Sequence, residues 1–251
     1  METLKVERGR VARVVIQRPE VRNALNTETL QALIRALKEL AADDEVRVIR
    51  LESAGDRAFC AGADLREVAA AQTLSERRRY FQQVGDVVAA MLKAPQPIVA
   101  RVQGHALAGG MGLVAAADFV VAAKEAQFGL PEVDLGLFPM VVMAPLLRVL
   151  PRRVLWEMIL LGRRLTAEEA EGYGLIHRAV ERSQLDEEVA RLAETLAQKS
   201  PSVLALGKTA LWSVESLSIW ESLASLKDWS ALLAGTEEAK EAIGRFLTRS
   251  S

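Results

Sequence analysis

Three short stretches are candidates for chemistry: a lone carboxylate in an apolar turn and two turns rich in small residues. Leu130-Pro131-Glu132-Val133 sets one carboxylate in an apolar turn. Taken alone, Glu132 is more simply read as a surface turn residue; if partly desolvated, its pKa would be raised toward the range that suits a general base. The other two stretches, "AFCAGADL" (58–65) and "GHALAGGMGL" (104–113), are glycine-containing turns that follow apolar runs. Small residues let a ligand approach backbone N–H groups, and a helix start adds unpaired donors and a positive dipole end. Two such N–H groups converging on one oxygen form an oxyanion hole. Taken alone, either stretch is more simply read as a tight turn or a close helix contact. Neither contains G-x-x-x-x-G-K-[ST] or G-x-G-x-x-G, so neither is read as a phosphate loop.

The other polar residues near these turns read as structural. Asp118 and Asp64 are expected to satisfy buried backbone and loop groups. Cys60, the single cysteine, has no base or cation beside it and is expected to be a small buried residue. His105 and His177 stand far apart with no cysteine or histidine spacing for a metal, so no metal site is expected.

The elements needed to hold these turns are strands and helices in alternation. Strands are predicted at Val11–Gln17, Val46–Glu52, Ile98–Gln103, Phe119–Ala122 and Ala126–Phe128 from β-branched runs ended by turn residues. A helix capped by Asn26 carries Leu30, Leu33, Leu37 and Leu40 at helical spacing to Ala41. A second runs from Ser75 to Lys93, and a third opens near Gly110 and reaches Asp118. Beyond Val141 the pattern is nearly all helical, including one long helix over Pro201–Leu233, with one late strand at Ile176–Val180. The expected fold class is therefore α/β with a helical C-terminal part. The division expected is a core over 1–195 and a helical region over 196–251. Trp212, Trp220 and Trp229 make the last helices too apolar to stand alone, which points to a subunit contact.

Composition narrows the function classes. The chain has 251 residues, 50% of them hydrophobic, enough for a full core. Its 32 basic and 33 acidic side chains give a formal net charge of −1, and aromatics are 5%, so nucleic-acid binding is not expected. The stretch from Pro97 to Ala123 is broken by charged and polar residues, so no membrane span is expected. One cysteine and a charged N-terminus without an apolar region fit a cytoplasmic protein.

Five ordered motifs resemble one family. "RPEVRNALN", "AFCAGADL", "IVARVQGHALAGGMGLVAAADFVVAA", "AQFGLPEVDLGLFP" and "GRRLTAEEAEGYGLIHRAV" are together similar to the crotonase superfamily, the enoyl-CoA hydratases and isomerases. The resemblance implies a spiral of ββα units with C-terminal helices that build a homotrimer or a homohexamer. It implies an acyl-CoA thioester as substrate, with coenzyme A as part of that substrate and no covalently bound cofactor. The N–H groups of Ala63 and Gly109 would be the oxyanion donors, and Glu132 the catalytic carboxylate. Arg22, Ala24, Leu25, Ala61 and Leu65 would line the CoA path, with Phe246 closing a neighbour's pocket. Many hydratases of the family carry a second glutamate where this chain has Gly112. Bulky Leu137, Phe138 and Met140 replace a glycine-rich run, which implies a reshaped acyl pocket. The expected activity is hydration of a 2-enoyl-CoA with a single glutamate. Conversion of a 3-enoyl- to a 2-enoyl-CoA is the alternative, and an acyl-CoA-binding protein without catalysis a further one.

Overall fold

The structure, a computed structural model, describes residues 3–249. Strands β1 (Leu4–Glu7) and β2 (Val11–Ile16) form an antiparallel pair and lead into helix α1 (Thr27–Ala41). Asn26 caps α1 by accepting the Thr29 N–H, and Leu30, Leu33, Leu37 and Leu40 are buried along one face. Each such leucine contributes about 1.5–3 kcal/mol on burial. The chain then runs through β3 (Val48–Ser53), β4 (Ala58–Cys60), α2 (Leu65–Ala70) and α3 (Leu74–Lys93). Next come β5 (Ile98–Val102), β6 (His105–Leu107), α4 (Gly109–Ala116), β7 (Phe119–Ala123) and β8 (Gln127–Gly129).

Each pass deals one strand to each of two sheets. The six-stranded sheet has order β1-β2-β3-β5-β7-β10 and the four-stranded sheet β4-β6-β8-β9. β4, β6 and β8 are parallel neighbours, so the turns that leave their C-terminal ends sit side by side. Helices α5 (Met143–Val149) and α6 (Arg152–Leu160) follow, then β9 (Arg164–Thr166), α7 (Ala167–Gly172) and β10 (Arg178–Val180). Helix α8 (Leu185–Ala197) packs Leu185, Val189, Ala193 and Ala197 against Val48, Val99 and Val121 of the larger sheet. The boundary expected at 195/196 falls in the last turn of α8.

The sequence reading missed β1, β4, β6, β9 and α2. Three-residue strands are too short to show alternation, and β4 and β6 lie inside stretches read as glycine turns. The long helix expected over Pro201–Leu233 is two, α9 (Pro201–Val214) and α10 (Ile219–Ala234). Ser218 starts a new helix there, its hydroxyl accepting from Glu221 N–H while the Glu221 carboxylate accepts from Ser218 N–H. Helix α11 (Glu237–Arg249) ends the described chain. Lys208 pins α9 to the core by donating to Met91 O, Gln96 O and Asp118 Oδ2. Among the described residues, no helix is long and apolar enough to cross a membrane.

Candidate active site

The three chemistry-bearing turns leave the same edge of the four-stranded sheet: 61–64 after β4, Ala108-Gly109 after β6, and 130–136 after β8. Leu25 N–H donates to Gly62 O at 2.7 Å and Leu25 O accepts from Asp64 N–H at 3.1 Å, a parallel bridge centred on Ala63. Alternate peptides of an extended chain face opposite sides. The bridge uses the groups on either side of Ala63 and directs the Ala63 N–H away from Leu25.

Gly109 faces Ala63. A Cβ on Gly109 would stand 3.3 Å from Gly62 Cα and 3.6 Å from Ala63 N, and one on Gly62 only 2.8 Å from Gly109 N. Gly62 stands at φ +93°, where glycine is at ease and where a side chain would cover the Gly109 donor. Ala108, just before α4, takes φ 50° and ψ −119°, a conformation a side chain rarely adopts. Such a residue stores about 1–3 kcal/mol of strain and persists only where its surroundings enforce it. Here Ala108 N–H donates to Gly129 O and Ala108 O accepts from Met111 N–H, both at 2.9 Å. The strained turn presents Gly109 N–H at the open start of α4.

Two side chains that the sequence reading left without a site role brace the Ala63 turn. The buried Tyr80 hydroxyl of α3 donates to Leu25 O and accepts from Asp64 N–H. Burial pushes the Tyr80 phenol well above its ordinary pKa. The Arg18 guanidinium donates to Ala24 O and to Asp64 Oδ2. Tyr80 was legible in principle: it shares a helical face with buried Val84, Val87 and Met91, and a buried hydroxyl needs a partner.

Glu132 sits in a short 3₁₀ turn, Pro131–Leu135, closed by Gly136 at φ 69°. Leu137 N–H donates to Glu132 O at 3.0 Å. The Glu132 Oε2 is buried and, among the described residues, has no hydrogen-bond partner. Burial raises its pKa, opposed only by its own backbone N–H. Such a carboxylate is suited to accept and return a proton near neutral pH.

Gly112 lies three residues after Gly109, on the same face of α4. A Cβ there would meet Val142 Cγ1 at 2.6 Å, Val142 Cβ at 3.3 Å and Val88 Cγ2 at 3.7 Å. The valine at 142 occupies the room that any side chain at 112 would need. Val142, ten residues after Glu132, thus fills the space beside Gly112.

Of the residues expected on the CoA path, Ala24 and Leu25 are buried behind the bridge, and Ala61 N–H donates to Arg22 O at 3.0 Å. Arg22 and Ala61 line a cleft of about 420 Å³ with Arg57, His105, Leu107 and Arg164. Burial, then the charges of Arg164 and Arg22, holds the His105 imidazole below its ordinary pKa. Leu65 is the exposed first residue of α2. Phe138 packs against the core, whereas Leu137 and Met140 are exposed on this chain. Phe246 is exposed on α11, which packs on α10. Cys60 is buried, its thiol pushed up to about 12. Asp118 accepts from Ile98 N–H at 2.7 Å. A larger cavity of about 670 Å³ lies between Phe119, Val149, Leu204 and Trp212; Ala63, Gly109 and Glu132 are not among the residues that line it.

Two interleaved sheets, with the turns of Ala63, Gly109 and Glu132 leaving the C-terminal ends of adjacent strands of the smaller one, define the class of fold. Residues 7–250 match the family model described as enoyl-CoA hydratase/isomerase. The chain belongs to that family, within the crotonase superfamily. It is 36% identical to enoyl-CoA hydratase domain-containing protein 3, mitochondrial, of Rattus norvegicus over 80% of this chain and 67% of the relative. It is 33% identical to a putative enoyl-CoA hydratase of Thermus thermophilus over 98% of each. Its fold superimposes on an enoyl-CoA hydratase structure from Mycobacterium smegmatis with a TM-score of 0.96 at 31% identity, covering 99% of this chain and 97% of the other.

Proposed function

We propose that this chain is an enoyl-CoA hydratase-type enzyme that acts through a thioester enolate with Glu132 as its only catalytic carboxylate. The observation that carries the reading is the approach of the Ala63 and Gly109 turns, with Ala63 N 3.6 Å from the position of a Cβ on Gly109. The two N–H groups bind the thioester oxygen and hold the charge that develops on it. Glu132 takes a proton from water as the oxygen adds at C3, and returns that proton to C2, so that water is added across the double bond. Coenzyme A enters as part of the substrate, along Arg22, Ala61 and Leu65 with Ala24 and Leu25 packed behind them, and no covalently bound cofactor is required.

One observation favours a second reading. Val142 leaves no room for another proton-carrying side chain at position 112. A single base suits movement of a proton from C2 to C4 of a 3-enoyl-CoA, giving the 2-enoyl isomer. Incubation with 2-enoyl- and 3-enoyl-CoA esters of graded chain length, with product identification, separates the two. Hydrated product from the 2-enoyl esters is expected; bond-shifted product alone would establish the isomerase. Absence of turnover with every ester would leave the reading of an acyl-CoA-binding protein without catalysis.

Assembly belongs to the same proposal. Leu211, Ile219, Trp220 and Leu223 are all more than half exposed on α9 and α10 of the single chain. Apolar load of this kind is characteristic of an interface. A homotrimer or a dimer of trimers, in the cytoplasm, is the expected form. Light scattering at micromolar concentration checks this, and a stable monomer would overturn it.

A further inference from the structure

The segment that carries Glu132 is tied to α4 at two places. At its start, Gly129 O accepts the Ala108 N–H at 2.9 Å, one residue before the Gly109 donor. At its end, Val142 seats against Gly112. Val142 is 3% exposed, and its neighbour Val141 lies 3.7 Å from the position of a Cβ on Gly85 of α3. Two consecutive valines therefore dock where α3 and α4 each present a glycine. Between these ties Leu130 is buried in the core, Phe138 packs against it and the Pro131–Leu135 turn packs on α6, while the backbone bonds within the segment are local: Gly136 N–H to Val133 O, Leu137 N–H to Glu132 O, and Met140 N–H to Phe138 O. Those bonds shape the segment but do not fix it to α4.

We propose that Val142 is a positioning residue for catalysis: seated in the gap left by Gly112, it fixes the distance between the Glu132 carboxylate and the Gly109 N–H donor. Gly112 is glycine because a side chain there would expel Val142. The inference rests on the roles given above to Glu132 and Gly109.

Val142→Ala removes the methyl groups that fill the gap while leaving Glu132, Ala63 and Gly109 untouched. Misplacement of a reacting group by about 1 Å can cost about 10²-fold in rate, so kcat for the enoyl-CoA is expected to fall by up to that factor. KM should change little, because the CoA path is elsewhere. The acid limb of the kcat/KM profile should move toward the ordinary carboxylate range as water reaches Glu132. A contact that merely supported the fold would change Tm without moving that limb.

Gly112→Ala in the native background should lower both Tm and kcat, since its Cβ would stand 2.6 Å from Val142 Cγ1. In the Val142→Ala background the same change meets the 142 Cβ at 3.3 Å and Val88 Cγ2 at 3.7 Å, and should restore the contact and most of the lost rate. Residues in contact are non-additive in this way, whereas independent sites add. Wild-type kcat in Val142→Ala overturns the proposal, as does a Gly112→Ala penalty that is equal in both backgrounds. If Val142→Ala alone fails to fold, recovery in the double variant supports the proposal, and an unfolded double variant overturns it. Lack of turnover by the native enzyme would remove the functional reading, while the Tm coupling would still test the 112–142 contact.

Discussion

Glu132→Gln is expected to lower kcat by at least about 10²–10⁴-fold, the usual contribution of one positioned acid–base group. The amide keeps the shape of the side chain but cannot accept a proton. KM should hold, because the donors and the CoA path are unchanged. In the native enzyme the raised pKa of Glu132 puts the acid limb of kcat/KM above the ordinary carboxylate range, with activity rising as the base deprotonates. The same shift has a sign for stability. A carboxyl whose folded pKa is raised favours the folded state at pH below its unfolded pKa and loses that contribution as pH climbs through the folded value. At neutral pH the buried charge is a cost, so Glu132→Gln should have the higher Tm there, and the gain should vanish in acid. Turnover at the native rate would remove Glu132 from the mechanism. A Tm difference independent of pH would show that its carboxyl is not desolvated.

Gly109→Pro is expected to cost about 10²–10³-fold in kcat, the effect of deleting one oxyanion donor. Proline is tolerated at the first position of a helix, so α4 itself should survive. The strain falls on Ala108, because a residue before proline is pushed toward an extended conformation with negative φ. Ala108 stands at φ 50°, held by its bond to Gly129 O, so the turn must shift as well as lose its donor. KM should rise less than kcat falls, since the oxygen carries more charge in the enolate than in the substrate. Circular dichroism checks the fold. A folded variant with native kcat would remove Gly109 from the oxyanion site.

The turns of the candidate site were more legible than the strands that carry them. Glu132 stood out as a charge among apolar residues, and the glycines of both turns marked close backbone approach. β4 and β6 were hidden within those same turns, because three residues cannot display a period of two. The strain at Ala108 leaves no mark at all, since alanine is an ordinary residue at most helix starts. The Tyr80 hydroxyl bonds span 55 positions to Leu25, a separation that no local pattern encodes. Gly112 read as a loss, a missing carboxylate. Only the packing of Val142 shows it as half of a fitted pair.

The alternation of strands between two sheets bears on how the chain reaches this state. β3 pairs with β5, and β7 closes against β10 only after residue 178 has been made. The four-stranded sheet draws its strands from 58–166 and the six-stranded sheet from 4–180, so the span of each contains strands of the other. Loop closure over such separations is slow, and edges left open in the meantime are places where chains pair wrongly. During synthesis β7 and β8 must wait with bare edges until β10 and β9 emerge, about fifty-five and thirty-five residues later, at roughly 5–20 residues per second. A chain stopped short of β9 would therefore be a poor candidate for an independent folding unit and a good one for capture by a chaperone.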